Sequence, residues 1–232
     1  MRSFAISGSR YRAASVRASV VLPVAGSPVI RMMREWRIGR LYAHSARRYP
    51  AAMTDDNSLL KRTTHFRGRV VTLTVDEVTL PNGHRAALEI VHHPGGAAAV
   101  AIDDQQRVCL LRQYRHAASG WVWELPAGKL EPNEPPLITA QRELIEEAAT
   151  QAANWQSLGR CLPSPGVLTE VVHLFLATDL QPAQAALEAA EVLEIHWLPL
   201  QQAFEWALDG TINDAKTVIG LARAVHHSRR AE

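Results

Sequence analysis

The chain has 232 residues, of which 47% are hydrophobic and 21% are charged, as is typical of a globular protein with a packed core. No stretch approaches the roughly 20 consecutive apolar residues that a transmembrane helix needs, so we expect no membrane partner. The two cysteines, Cys109 and Cys161, lie in apolar, strand-like segments, which predicts buried reduced thiols and a cytoplasmic location.

The formal net charge of +2 is spread unevenly along the chain. Residues 1–52 hold ten arginines, no lysine and one acid, Glu35, for a charge of +9, so residues 53–232 carry −7. Because the body of the chain is acidic, its alkaline isoelectric point is no indication of nucleic-acid binding. We therefore expect no nucleic-acid partner.

The arginine-rich beginning of the chain is also rich in serine and alanine and shows no sustained hydrophobic period. Three interpretations fit it: an extension upstream of a true start at Met53, an organellar transit segment, or a basic binding arm. We predict that residues 1–57 form a disordered basic extension that contains at most one short helix, near 31–41.

From Phe66 onward, short apolar segments alternate with turn residues. Residues 70–78 read VVTLTVDEV, and this alternation of apolar and polar side chains predicts a half-buried strand. Asn82 and Gly83 follow as a turn signal, because glycine adopts positive φ without strain. Since such hairpins pair antiparallel strands, we predict an antiparallel or mixed sheet. The strands predicted in this half are 70–78, 86–92, 97–102 and 107–114.

One longer segment, residues 137–149, has the apolar period of a helix. Pro135 and Pro136 suit its entrance, where a missing N–H costs least. Leu144 and Ala148 lie on one side, which gives the helix a face that can pack. Strands near 155–161, 171–177 and 192–199 and helices near 200–208 and 214–227 are predicted to follow. Strands that enclose one helix and lead into a helical tail predict an α+β sandwich.

Three glutamates of the predicted helix, Glu143, Glu146 and Glu147, are three and four residues apart. Because a helical turn takes about 3.6 residues, their carboxylates share one face. Like charges at this spacing repel, so a solvated acidic face gains no stability from them. A divalent cation reverses that balance, since hard ions prefer carboxylate oxygens. Taken alone, the three glutamates are more typical of a solvated acidic face, and a site for Mg²⁺ or Mn²⁺ is the alternative that their spacing allows.

A longer pattern surrounds these glutamates: Gly128-x5-Glu134-x7-Arg142-Glu143-Leu144-x-Glu146-Glu147. It resembles the Nudix box, the signature of hydrolases that cut nucleoside diphosphates linked to another group. The implied fold is a Nudix-type α/β/α sandwich with a mixed sheet and an added N-terminal antiparallel strand unit. The pattern departs from the family at its end, where Ala149 replaces a glycine and Thr150 an aliphatic residue. An alanine in a left-handed helix exit would cost roughly 1 kcal/mol.

The resemblance implies a role for each position of the box. It implies metal binding by Glu143, Glu146, Glu147 and the backbone carbonyl of Ala127. Glu134 and Arg142 are implied to form a structural ion pair that holds the loop against the helix. Glu146 and Glu147 are also candidates for the catalytic base, and Gly128 for a contact with the substrate.

Segments outside the box extend the resemblance to the ADP-ribose and nucleotide-sugar pyrophosphatase branch: QYR at 113–115, WELPAG at 123–128 and SPG at 164–166. In that branch Arg115 and Glu89 would contact the substrate, although Leu88 stands where relatives often carry arginine. Glu170, on the loop after SPG, would supply a general base or an extra metal contact. The alternatives are a surface arginine at 115 and a mobile surface glutamate at 170. His92 and His93 lack a metal-ligand spacing and are interpreted as ordinary strand-end or surface residues.

The function implied is Mg²⁺-dependent hydrolysis of the pyrophosphate bond of ADP-ribose, which yields AMP and ribose 5-phosphate. GDP-mannose or another nucleoside diphosphate sugar is the alternative substrate, and a non-catalytic ADP-ribose sensor is the alternative from another class. Relatives are commonly homodimers that exchange N-terminal strands, here residues 66–92. We therefore divide the body into dimerisation strands (58–95), a Nudix hydrolase domain (96–210) and a C-terminal helix (211–232).

Overall fold

The computed structural model describes residues 58–184 and 192–231. The basic extension predicted for residues 1–57, with its short helix near 31–41, lies outside the described residues. The division of the body at residues 95 and 210 stays a prediction.

An antiparallel sheet of three strands begins the described chain, in the order β1 (Leu59–Arg67), β2 (Thr72–Thr79) and β3 (Arg85–His92). The tight turn between β2 and β3 places Gly83 at a φ of +83°, which confirms the predicted hairpin. β1 was not predicted, because its polar and basic side chains are almost all exposed and show no alternation of burial. Its pairing with β2 defines it as a strand.

Seven further strands form two sheets. They are β4 (Gly96–Ala101), β5 (Arg107–Arg115), β6 (Gly120–Glu124), β7 (Ala127–Lys129), β8 (Thr150–Cys161), β9 (Val172–Pro182) and β10 (Leu193–Pro199). One sheet has the order β7-β4-β9-β8, with β4 and β9 parallel and the other pairs antiparallel. The other is antiparallel, in the order β10-β5-β6. The mixed sheet is thus confirmed, whereas β6 and β7 were not predicted as separate strands, and β8 and β9 pair over longer stretches than their local patterns indicated.

Three α-helices complete the described fold: α1 (Pro136–Ala148), α2 (Leu200–Asp209) and α3 (Ala215–Ala231). A short 3-10 helix, His116–Ala118, connects β5 and β6. α1 begins and ends one residue before the predicted bounds. Ala149 follows it with φ +50° and ψ +35°, and its N–H reaches the carbonyls of Leu144 and Ile145. The left-handed exit that the family makes with glycine is therefore made here by an alanine.

The central strand β4 consists of small residues that are all fully buried, so helices can approach it closely from both sides. Ala98 and Val100 pack with residues of α2 and α3, whereas Ala99 packs with Leu144 of α1. At Gly220 of α3, a Cβ atom would lie 2.7 Å from Leu125 Cδ1, so a larger residue there would displace the Leu125 side chain. The helices on opposite sides of β4 confirm the α+β sandwich.

Cys109 and Cys161 are buried and unbridged, as predicted. Burial, with a further effect of the Glu147 charge, raises the pKa of the Cys109 thiol to about 12. Within the described ranges, no helix has both the length and the apolar character needed to cross a bilayer.

Candidate active site

A cavity of about 430 Å³ lies where α1, β7, the loop before β9 and the beginning of α3 come together. Its lining is strongly charged and includes Glu143, Glu146, Glu147, Glu170, Arg115 and Lys216. The acidic face of α1 and two cations from elsewhere in the chain therefore face one space.

The acidic face of α1 is held tightly against β7. Glu143 and Glu147 are 7% and 2% exposed, and Glu147 Oε2 accepts a hydrogen bond of 2.8 Å from the backbone N–H of Ala127. A Cβ atom on Gly128 would lie 1.8 Å from Glu143 Oε1, so only glycine leaves room for that carboxylate. The helical spacing brings Glu146 to the same cavity, where its side chain is 31% exposed.

Arg142 connects the box loop to the acidic face. Its Nε and Nη2 donate to the two oxygens of Glu134 at 3.1 and 3.2 Å, so the implied ion pair is present. Glu134 also accepts a 2.8 Å bond from Thr139 Oγ, and the Arg142 hydrogen bond in particular lowers the pKa of Glu134 to about 2. Nη1 of the same guanidinium donates to Glu143 Oε1 at 2.7 Å and to Glu146 Oε2 at 2.8 Å. Those two further contacts were not predicted.

The carboxylates around Arg142 are donors of the chemical type that a divalent cation prefers. Among residues 58–184 and 192–231, no group of three or more Asp, Glu, His or Cys side chains is arranged so that it could hold a metal ion. Glu143 and Glu146 instead bind the cationic Nη1 between them, which shows that this part of the cavity accommodates positive charge. Together with Glu147 they supply the hard carboxylate oxygens that such ions prefer.

A second charged cluster lies on the wall formed by β5, β6 and α3. Arg115, the last residue of β5, donates from Nε and Nη2 to the two oxygens of Glu124 at 2.7 and 3.0 Å. Lys216 of α3 contacts Glu124 Oε2 and lies 3.1 Å from Asp214 Oδ2. Burial raises the pKa of Glu124, but the Arg115 hydrogen bond and the Lys216 charge together hold that pKa below its ordinary value. Sequence reasoning placed Arg115 correctly at a strand end but missed Glu124 and Lys216.

Glu170 reaches the cavity from the loop before β9. The loop is attached to β3, because Val91 N–H donates to Val167 O at 2.8 Å and His93 N–H donates to Thr169 Oγ at 3.0 Å. His93 also lines the cavity, with Nδ1 3.4 Å from Glu170 Oε1. His93 directly follows β3, as interpreted, and its Nδ1 also accepts a 3.1 Å hydrogen bond from the N–H of Gly95. Its place beside Glu170 in the cavity lining was not predicted. The contact depends on two segments distant in sequence, and no local signal indicated it.

Glu89 lies on an exposed position of β3. Unlike the other residues predicted to bind the metal or the substrate or to act in catalysis, it does not line the cavity described above.

Comparison with known proteins matches residues 92–219 to the family model described as the NUDIX domain. The chain belongs to the Nudix family. Because Nudix hydrolases generally use divalent metal ions, the family agrees with the donor set on α1.

Several relatives cover most of the chain. An ADP-ribose pyrophosphatase of Bacillus subtilis is 36% identical over 67% of this chain and 85% of the relative. One from Mycobacterium tuberculosis is 37% identical over 74% of this chain and 84% of the relative. A methanol dehydrogenase activator of Bacillus methanolicus is 38% identical over 72% of this chain and 91% of the relative. These similarities identify the chain as a Nudix hydrolase.

The fold comparison agrees. The crystal structure of an ADP compounds hydrolase superposes with a TM-score of 0.66 and 22% sequence identity, covering 75% of this Nudix chain and 95% of the other chain. At that identity the match supports the fold alone, and it confirms the predicted arrangement of mixed sheets and helices.

Proposed function

We propose that this Nudix hydrolase cuts the pyrophosphate bond of ADP-ribose, releasing AMP and ribose 5-phosphate, and that it uses Mg²⁺. The observation that carries the proposal is the charge arrangement of the cavity, where the carboxylates of Glu143, Glu146 and Glu147 and the cation of Arg115 line one space. A pyrophosphate needs both a cation-binding acidic face and basic groups for its own oxygens. Relatives named ADP-ribose pyrophosphatase supply the choice of substrate.

Arg115 is proposed to bind a phosphate group of the substrate. Its side chain is 42% exposed and lines the cavity, although its Nε and Nη2 donate hydrogen bonds to Glu124. A guanidinium has five N–H donors, so donors are left for phosphate oxygens after the ion pair has formed. Gly128 is proposed to contact the substrate as well, because it lines the same cavity.

Glu170 is proposed to accept the proton of the attacking water. Glu147 Oε2 already accepts the N–H of Ala127, and Glu143 and Glu146 accept N–H groups of Arg142. Glu170 lies on a different wall of the cavity, beside His93. A bound divalent ion would neutralise charge on the pyrophosphate and acidify the attacking water. A separately placed carboxylate then acts as the base.

A substrate panel tests the proposal. The full chain is assayed with Mg²⁺ against ADP-ribose, GDP-mannose and dinucleoside polyphosphates, with phosphate release coupled to a phosphatase. We expect the highest kcat/KM for ADP-ribose; a preference for GDP-mannose would point to the relatives named GDP-mannose pyrophosphatase, which are 33–36% identical. Glu143→Gln and Glu147→Gln should each remove most turnover and leave the circular dichroism spectrum unchanged. Wild-type rates in both variants would contradict the proposal.

A binding role without catalysis is the alternative from another class, favoured by the relative that is named as an activator of another enzyme. Calorimetric binding of ADP-ribose with no Mg²⁺-dependent cleavage would support it.

We also propose a homodimer in which the sheet of β1, β2 and β3 contacts a second copy. Phe66 is 56% exposed and Leu88 is 39% exposed on this sheet, and Glu89 lies away from the cavity of its own chain. Exchange of these strands would bring Glu89 to the cavity of the second copy, where it would make the substrate contact that the resemblance implies. Size-exclusion chromatography with light scattering at micromolar concentration should give twice the chain mass, and a monomer would count against the exchange.

A further inference from the structure

We infer that Glu124 is a positioning residue that holds Arg115 and Lys216 in place to bind the pyrophosphate of the substrate. The inference rests on the proposed function and adds to it one residue that the box does not contain. Glu124 is 4% exposed, and both of its oxygens are occupied by the two cations.

The backbone determines where the carboxylate lies. Glu124 is the last residue of β6 and pairs with Leu111 of β5, whereas Arg115 pairs with Gly120 at the other end of the ladder. The guanidinium therefore extends along the strand pair to reach Glu124, and the bidentate contact fixes both its position and its plane. A single contact would leave the plane free to rotate.

Lys216 is anchored through the first turn of α3. Asp214 Oδ2 accepts hydrogen bonds from the N–H and the Oγ of Thr217 at 3.0 and 2.6 Å. Thr217 Oγ in turn accepts the N–H of Leu125 at 2.9 Å, one residue after Glu124. Two neighbouring contacts, Lys216 with Glu124 and Thr217 with Leu125, thus attach the beginning of the helix to the end of β6.

The different exposure of Glu124, Arg115 and Lys216 determines which of their charges the substrate can contact. The Glu124 side chain is 5% exposed, whereas those of Arg115 and Lys216 are 42% and 16% exposed and line the cavity. The carboxylate lies beneath the two cations and shields them from one another. Without it, the two positive groups would repel each other and move apart. An anionic ligand would then have to bring them together again.

The test compares Glu124→Gln with a matched control. Glu194→Gln alters another glutamate that pairs with an arginine of β5, Arg112 at 3.4 Å, but in that pair both side chains are nearly half exposed. In the full chain, Glu124→Gln should raise KM for the preferred nucleoside diphosphate sugar about tenfold or more, since hydrogen bonds to charged groups are at stake. Its kcat should stay close to the wild-type value, because the acidic face of α1 is untouched. Glu194→Gln should change neither constant.

A second readout does not depend on turnover. Calorimetry with inorganic pyrophosphate in EDTA measures binding by the cations alone, and Glu124→Gln should weaken it by a similar factor. Glu124→Asp keeps the charge but has a side chain shorter by one methylene, so it should also raise KM. If thermal melts show that Glu124→Gln does not fold, Glu124→Asp replaces it in both measurements. In an Arg115→Gln background, the further effect of Glu124→Gln should be much smaller.

Several results would overturn the inference. In Glu124→Gln, an unchanged KM or a loss of kcat alone would do so. A lower KM would also do so, because it would mean that Glu124 competes with the substrate for the two cations. Failure of the wild-type chain to bind pyrophosphate would do the same. If the wild type bound pyrophosphate but cleaved no nucleoside diphosphate sugar, only the proposed function would fail.

Discussion

Gly128→Ala is the substitution for which the structure gives the sharpest expectation. The added Cβ would lie 1.8 Å from Glu143 Oε1 and 2.2 Å from its Cδ, far below the contact distance of real carbon atoms. The carboxylate must therefore move by roughly 1 Å or more, and a displacement of that size at a catalytic centre costs about a hundredfold in rate. The backbone of Gly128 has no positive φ, so an alanine there causes no left-handed backbone strain.

The assay is Mg²⁺-dependent turnover of ADP-ribose, with Mn²⁺ binding by calorimetry as an independent measurement. Gly128→Ala should lower kcat about a hundredfold and weaken metal binding, while the chain stays folded because the displaced side chain can turn into the cavity. Gly120→Ala is the control, since Gly120 is also a strand glycine and a Cβ there meets no atom within 4 Å. Wild-type kcat and metal affinity in Gly128→Ala would refute the placement of Glu143 against β7.

Two further predictions concern stability. Ala149→Gly should raise the free energy of unfolding by about 0.5–1 kcal/mol, because residue 149 has a φ of +50° that glycine adopts without strain. The melting temperature should then rise by about 1–4 °C, and an unchanged melting temperature would contradict this. The pKa of Glu134 is lowered to about 2 in the folded chain, from an ordinary value of 4.5, so its contribution is complete above pH 4.5 and is lost as the pH falls toward 2. Urea titrations should show that Glu134→Gln costs about 1–2 kcal/mol at pH 7 and much less at pH 3, whereas an equal cost at both would refute the pairing with Arg142.

The sequence by itself determined the elements whose signal is local. The helical period of about 3.6 residues places Glu143, Glu146 and Glu147 on one face wherever the helix packs, so the acidic face could be predicted without coordinates. The hairpin at Gly83 and the bounds of α1 were predictable for the same reason, since turn residues and apolar periods act over a few residues. The spacing of the box identified the family.

Only the tertiary structure decided which distant groups meet. Glu124 and Lys216 are 92 residues apart, and their contact exists because α3 packs against the end of β6. The approach of Glu170 to His93 likewise depends on the pairing of a loop with β3. Such contacts follow from the packing of whole elements, which no period or short motif encodes.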